Sequence, residues 1–244
     1  TAIDRDINAI KRAEIKFSKF EGRFYPIHCS FEDLELKLNE YSNQYFDFIL
    51  ADLGLSSDQL DDSKRGFAFR FESDLDMRMD QTQQLTAYEV LNSYDIGHLT
   101  RVFKIGGVGN FSRELSKRVC SARELKTTND FKVVCESIKI GGRTLSPVVP
   151  FQAVRMEVNN ELGQIKSLLA FAKGALRVGG IMVVISFHST EDKIVTSQFR
   201  EWSREEILGK NIVVKSAYGM LITKKAVLPS ENEVEKNSRS RNDY

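Results

Sequence analysis

Apolar and polar positions along the 244 residues alternate between two periods, and the switch between them divides the chain. Thr1-Ala2-Ile3-Asp4-Arg5-Asp6 reads as a strand end and turn. Apolar Ile7, Ile10, Ala13, Ile15 and Phe17 then predict a helix over 7–20. Phe24 to His28 is a short strand, with Pro26 at an edge or irregular position. Phe31 to Tyr41 follows as a helix capped by Ser30, with Asp33 in its first turn. Phe46 to Asp52 has the pattern of a buried strand. Such short-spaced alternation argues for a parallel, doubly wound sheet.

From Thr86 to about Ile140 only helical periodicity is present, over 86–93, 96–105, 111–122 and 127–140, the last capped by the Thr127–Asp130 cluster. Alternation resumes at Pro150 with one long helix from Phe151 to about Arg177, stopped at Gly179-Gly180. A second buried strand spans Ile181 to Phe187, and His188-Ser189-Thr190 caps the next helix. Asn211–Val214 and Met220–Thr223 are expected to pair as a final hairpin around Ala217-Tyr218-Gly219. The polar tail from Pro229 is expected to be mobile. The pattern thus yields an α/β core over 1–85 and 144–228, a helical insertion over 86–143 and a tail over 229–244.

Composition narrows the classes. Lys and Arg number 35 against 34 Asp and Glu, so no global charge marks a nucleic-acid or membrane binder. Within 95–143, however, ten Lys/Arg face five Asp/Glu. This one-signed excess reads equally as solvated helix faces or as a phosphate-contacting subdomain. Three well-separated cysteines (Cys29, Cys120, Cys135) suggest reduced thiols of a cytosolic protein. His28, His98 and His188 share no ligand spacing with acids or thiols, so no metal is expected. The longest apolar run is too short to span a bilayer. Thr1–Asp4 looks like the end of a strand whose start is missing, and the chain is expected to be part of a longer protein.

Asp52, at the carboxyl end of its strand and before Gly54-Leu55-Ser56-Ser57, sits where open α/β sheets place ligand contacts. Asp4 after the first strand is placed to take a ribose diol, and Phe31 either covers an adenine face or belongs to the core. Asp52 and Gln59 could grip an amine, a carboxylate or a base edge. His188 reads as cap, substrate contact or general base. Phe67, Phe69 and Phe71 alternate with Arg65 and Arg70, which suggests a loop folded down onto something. Arg155 and Asn159, one helical turn apart, anchor either a substrate loop or the Asp76–Asp80 segment.

Taken together, Asp52–Ser57 with Gln59-Leu60-Asp61, Arg65-Gly66-Phe67, Leu75-Asp76-Met77-Arg78-Met79-Asp80, Phe151–Arg155 with Val158–Leu162, and Ser186–Asp192 resemble the RsmH (MraW) family. The resemblance runs from Thr1 into the tail. It implies a class I (Rossmann-like) methyltransferase sheet with an all-helical insertion. The implied activity is S-adenosylmethionine-dependent methylation of cytidine N4 in 16S rRNA, with the small ribosomal subunit as cytoplasmic partner and a homodimer left open. Implied cofactor contacts fall on Asp4, Phe31, Asp52 and Gln59. Asp52 and His188 would serve catalysis, and Ser56, Ser57, Phe67, Arg155, Asn159 and Ser189 the substrate. Two departures stand out: the family's amino-terminal glycine-rich turn is not in this sequence, and Gly141–Pro147 replaces the usual approach to the Phe151–Arg155 segment. A non-catalytic RNA-binding or ribosome-assembly protein on the same fold is the alternative. Cytosine N4 is a poor nucleophile because its lone pair is delocalised, and a carboxylate accepting N4–H would aim it at a methyl donor. The target base must leave its stack, and Phe67 or Phe69 could hold it.

Overall fold

A computed structural model describes residues 1–20, 22–39, 45–208 and 212–237. In chain order the elements are β1 (Ala2–Asp4), α1 (Ile7–Phe17), β2 (Pro26–His28), α2 (Leu34–Asn39), β3 (Phe46–Asp52), α3 (Ser57–Asp61), α4 (Ala87–Ser93), α5 (Ile96–Ile105), α6 (Ser112–Ser121) and α7 (Thr128–Glu136). They continue with β4 (Lys139–Ile140), β5 (Arg143–Thr144), α8 (Val148–Val158), α9 (Glu161–Ala175), β6 (Leu176–Ile185), α10 (Ser189–Trp202), β7 (Glu206–Leu208), β8 (Ile212–Lys215) and α11 (Glu231–Lys236). The chain forms two compact units, one of residues 1–44 and 54–168, the other of 45–53 and 169–244.

In the first unit β1 and β2 pair in parallel, with Asp4 opposite His28. Pro26, lacking an N–H, starts β2 opposite Ala2, where the missing donor is tolerated. The core lies elsewhere, among α4 to α8 and the preceding loop. Leu91, Leu99, Phe103, Leu115, Val119, Phe131 and Val154 are fully buried there. Phe131 stacks on Phe151 at 4.9 Å and on Phe103 at 6.2 Å between centroids. Each such side chain removed from water contributes about 1.5–3 kcal/mol, which is why these short helices hold together. Thr86 and Thr127 start α4 and α7 with reciprocal caps, each accepting from the third residue of its helix while that residue's carboxylate returns to the threonine N–H. Gly106 ends α5 where a Cβ would lie 2.2 Å from that of Ala153, so α5 and α8 touch backbone to side chain.

The second unit is built on β3 and β6, parallel, with Asp52 opposite Ile185. Phe46 meets Phe171 of α9 at 6.3 Å. Trp202 at the end of α10 packs edge-on against Tyr218, whose N–H donates to the Trp202 carbonyl at 2.7 Å.

Five expectations are corrected. The single helix over 151–177 is two helices, because Asn160 takes a left-handed conformation (φ 47°) and Asn159 turns its side chain to a distant loop. Gly179-Gly180 then lies within β6, not at a helix end. The helix predicted to reach Ile140 stops at Glu136, and Lys139–Ile140 pairs antiparallel with Arg143–Thr144 through Gly141 and Gly142, both at positive φ as a tight hairpin demands. The terminal hairpin joins β7 to β8; Met220–Thr223 is not a strand, and Asn211 lies outside the described residues. In the tail, without bearing on its mobility and so outside these corrections, Ser230 caps a helix, α11, through an oxygen that accepts from Glu233 N–H; residues 238–244 lie outside the described residues. The strand pattern over Phe46–Asp52 does not mean burial: Phe48 is 54% and Leu50 56% exposed, and Ile181, Val183 and Ile185 on the same face are also open.

Candidate functional site

The carboxyl edge of the β1–β2 pair gathers the first set of groups. Asp4 ends β1, and its Oδ1 accepts the Asp6 N–H at 2.7 Å. Burial raises the Asp4 carboxyl above its ordinary value, against the opposing pull of that hydrogen bond. Beside it, Cys29 N–H donates to the Asp4 carbonyl at 3.2 Å, extending the pairing past His28. Phe31 follows in the turn closed by Ser30 and Asp33, ahead of α2, with its N–H fixed on Gln164 Oε1 at 2.7 Å. Asp4 and Phe31 therefore occupy one strand-pair edge.

Behind this edge lies a buried polar cluster. Asp6 caps α1 by accepting Asn8 N–H at 2.9 Å. Its other oxygen accepts Gln59 Nε2 at 2.8 Å and Arg65 Nη1 at 3.2 Å. Gln59 Oε1 in turn accepts Ser56 N–H, and Ser56 Oγ accepts Gln59 N–H, closing the cap of α3. Both ends of the Gln59 amide thus serve the chain itself. Ser56 and Ser57 are exposed at the start of α3.

Arg65 reaches onward to the carbonyls of Arg78 and Met79 at 2.8 and 2.9 Å. Asn159, 1% exposed, accepts Met79 N–H at 2.7 Å and donates to the Met77 carbonyl at 2.7 Å. Of the two roles open to Asn159, the geometry realises the tie to the Asp76–Asp80 segment. Arg155 instead forms a two-pronged pair with Glu161, at 2.7 and 2.9 Å, across the α8–α9 break. Phe67 is part of the core at 6% exposure, with Arg65 over its ring at 5.6 Å, so the structure removes it from the stacking role expected of it. Phe69 is half-buried, edge-on to Phe151 at 5.5 Å.

The second unit presents its own carboxyl edge. Leu53 N–H donates to the Ile185 carbonyl at 3.0 Å, so Asp52 and Ser186–Ser189 leave neighbouring strand ends. The Asp52 side chain is exposed, yet partial burial raises its carboxyl above the ordinary range. His188 is the N-cap of α10: its Nδ1 accepts Glu191 N–H at 3.4 Å, and its Nε2 lies 3.2 Å from Glu191 Oε1 without hydrogen-bond alignment. Ser189 opens the helix, exposed. Phe187 N–H donates to the buried Glu191 carboxylate at 3.1 Å. Sequence reasoning passed over Asp6, Arg65 as an ion-pair partner, and Gln164. An acid directly before a helical pattern is a legible cap signal for Asp6; nothing local marks Gln164.

Parallel strand pairs alternating with helices, β1 and β3 each ending in an acid, define an α/β protein. The comparisons sharpen that class: a model of the MraW methylase family matches residues 1–243, and the chain belongs to that family. It is 36% identical over 249 residues to a "Ribosomal RNA small subunit methyltransferase H" of Clostridioides difficile (strain 630), covering 98% of this chain and 80% of that protein. Proteins of the same description from Acaryochloris marina (strain MBIC 11017) and Caldicellulosiruptor saccharolyticus are 38% and 39% identical over 250 residues, each covering 98% of this chain, with 76% and 80% of their own lengths aligned. Among the described residues no helix is long and apolar enough to cross a membrane.

Proposed function

We propose that this chain transfers a methyl group from S-adenosylmethionine to N4 of a cytidine in the 16S RNA of the small ribosomal subunit. The family match over nearly the whole chain carries the reading. The Asp4 edge supports the cofactor assignment. A partly buried carboxylate with one oxygen already on an amide gains from two further hydroxyl donors, which is what a ribose diol offers. Phe31, pinned through its backbone near that acid, suits an adenine face. When bound, S-adenosylmethionine supplies an electrophilic methyl group on a positively charged sulfur.

Asp52 is the group assigned to the acceptor amine. Its exposed carboxylate accepts an N4–H, which draws the nitrogen lone pair out of conjugation and fixes its direction; alignment of this kind supplies much of the rate of an in-line transfer. In that transfer the sulfur–methyl bond would break as the N4–methyl bond forms, S-adenosylhomocysteine would leave, and the displaced N4 proton would pass to His188 or water. The rim of that strand edge, Ser186 to Ser189, offers hydroxyls to the substrate. Residues 86–143, helical as far as Glu136, act in this reading as the insertion that meets RNA. Arg101, Lys104, Arg113 and Lys117 are all exposed there and available to phosphates. A ribosomal substrate places the protein in the cytoplasm.

The test is methyl transfer from labelled S-adenosylmethionine to small subunits by the full-length protein. Asp52→Ala is expected to lose about 100-fold or more in kcat, the scale seen when a transition-state hydrogen bond is removed. An Asp52→Ala variant as active as wild type sinks the role of Asp52; a wild-type protein that neither binds the cofactor nor methylates RNA sinks the reading itself.

A further inference from the structure

We infer that Asp6 is a positioning residue for the cofactor acid Asp4, an inference that rests on the methyltransferase reading above. Asp6 is 2% exposed, so it touches no ligand itself. Capping α1 needs only one of its oxygens, the one on Asn8 N–H. The second oxygen is held from two sides, by Gln59 Nε2 and Arg65 Nη1. With its side chain fixed at three points, Asp6 has its backbone amide fixed as well, and that amide donates to Asp4 Oδ1 at 2.7 Å. The Asp4 side chain is thus aimed by a group whose own orientation is set by the buried cluster. Its other oxygen takes no part in this bond. Gln59 extends the device, because its amide oxygen holds Ser56 N–H in the turn after Gly54. One buried carboxylate therefore sets the cofactor acid and the α3 turn together.

A residue that only supports the fold and one that aims Asp4 differ in a measurable way. Loss of fold lowers the active fraction, hence kcat, and leaves both KM values alone. Misdirected Asp4 raises KM for the cofactor selectively. Steady-state methyl transfer to small ribosomal subunits, with S-adenosylmethionine and subunits varied separately, reads both in the full-length protein.

Asp6→Asn is expected to raise the cofactor KM about 10-fold, the weight of one hydrogen bond to a charged group, with the subunit KM within about two-fold of wild type. Asp4→Asn raises it at least as far, and the double variant matches Asp4→Asn alone, because Asp6 acts through Asp4. Unchanged cofactor KM in Asp6→Asn, or single effects that multiply in the double variant, overturns the inference. Should Asp6→Asn not fold, Gln59→Leu carries the test, since it leaves the Arg65 pair in place. It is expected to raise the cofactor KM about three-fold, half the effect on a logarithmic scale, and an unchanged value overturns the inference equally. An inactive wild type removes the function reading and this inference with it, whereas an active wild type with unaltered variants removes only the role of Asp6.

Discussion

Replacing Asn159 by alanine should loosen the Leu75–Asp80 segment, which its side chain holds at two points. The side chain is buried, and it satisfies the Met79 N–H and the Met77 carbonyl, both at 2.7 Å. Neither backbone group has water to fall back on, since Met77 is 0% and Met79 8% exposed. An unpaired buried backbone group costs about 1–3 kcal/mol, so two cost about 2–6 kcal/mol. Against a total stability of about 5–15 kcal/mol, that is a large fraction. Urea unfolding should show a lower midpoint with an unchanged slope, and hydrogen exchange should show the Met79 amide losing its protection. Asn159→Asp separates hydrogen bonding from cavity formation. It keeps an acceptor for Met79 N–H but sets a carboxylate oxygen against the Met77 carbonyl. Burial and that carbonyl would raise its folded pKa above the unfolded value, so its ionised form is the destabilising one. Relative to wild type it should be least destabilised below about pH 4, with the gap widening as pH rises to the raised value. An Asn159→Ala protein within about 1 kcal/mol of wild type, with Met79 still protected, would refute the reasoning.

Asp76 gives a pH dependence of opposite sign. Burial alone would raise its carboxyl, but the Arg78 guanidinium at 2.8 and 3.0 Å, the Arg78 N–H, and the charges of Arg78 and Arg65 bring it below the ordinary range. Its contribution is therefore present above about pH 4 and lost as pH falls through the depressed value, so Asp76→Asn and wild type should differ in urea midpoint at neutral pH and converge in acid. A constant difference across that range counts against the pairing. Gly66 stands at φ 72°, where an added Cβ would meet the Asp74 carbonyl at 2.5 Å and Asp76 N at 3.1 Å. Left-handed strain of about 1–2 kcal/mol plus the clash should lower the thermal midpoint of Gly66→Ala by about 5 °C or more, and a shift under about 2 °C would show that the loop relaxes freely.

The regular elements were legible where packing obeys one period. α5 was predicted at its observed bounds because Leu99, Val102 and Phe103 recur on one face, and β3 because its apolar run ends at an acid. The long helix over 151–177 was misread because its hydrophobic pattern runs unbroken through Asn159-Asn160. The residue that breaks it does so by bonding to a loop 80 residues earlier in sequence, which no local window contains. The hairpin at Lys139–Thr144 was equally hidden, though Gly141-Gly142 is a turn signal that could have been used. Asp4 and Asp52 were readable as strand ends, the last residues of β1 and β3. Phe67 lies in the core, as a loop folded down onto something requires, with Arg65 over its ring and Arg70 paired with Asp61. Asp6 and Gln164 act over long separations and had no local signature beyond a cap.

The Leu75–Asp80 run shows why a specific sequence can look structureless. Leu75, Met77 and Met79 are buried while the residues between them are half-buried, which is the alternation of a strand. Beyond a lone bridge at Asp74, no strand forms, because its backbone finds its partners elsewhere. Leu75 N–H goes to the Lys126 carbonyl, and the Leu75 and Asp76 carbonyls receive Tyr88 and Ala87 N–H at the start of α4. Met77 N–H goes to the Arg65 carbonyl, and Arg65 and Asn159 take what remains through Met79. These bonds come from loop residues Arg65 and Lys126, from the start of α4 and from Asn159 at the end of α8. Met77 itself sits at φ 57°, a conformation a methionine adopts only when its surroundings impose it. The segment is thus held by side chains, loops and a helix start instead of a neighbouring strand, with Arg65 and Asn159 each serving more than one of its positions. Truncating Arg65 or Asn159 leaves particular buried donors or acceptors of this run unpaired. That makes the run far more demanding of its residues than a ladder, where backbone pairs with backbone whatever the side chains are.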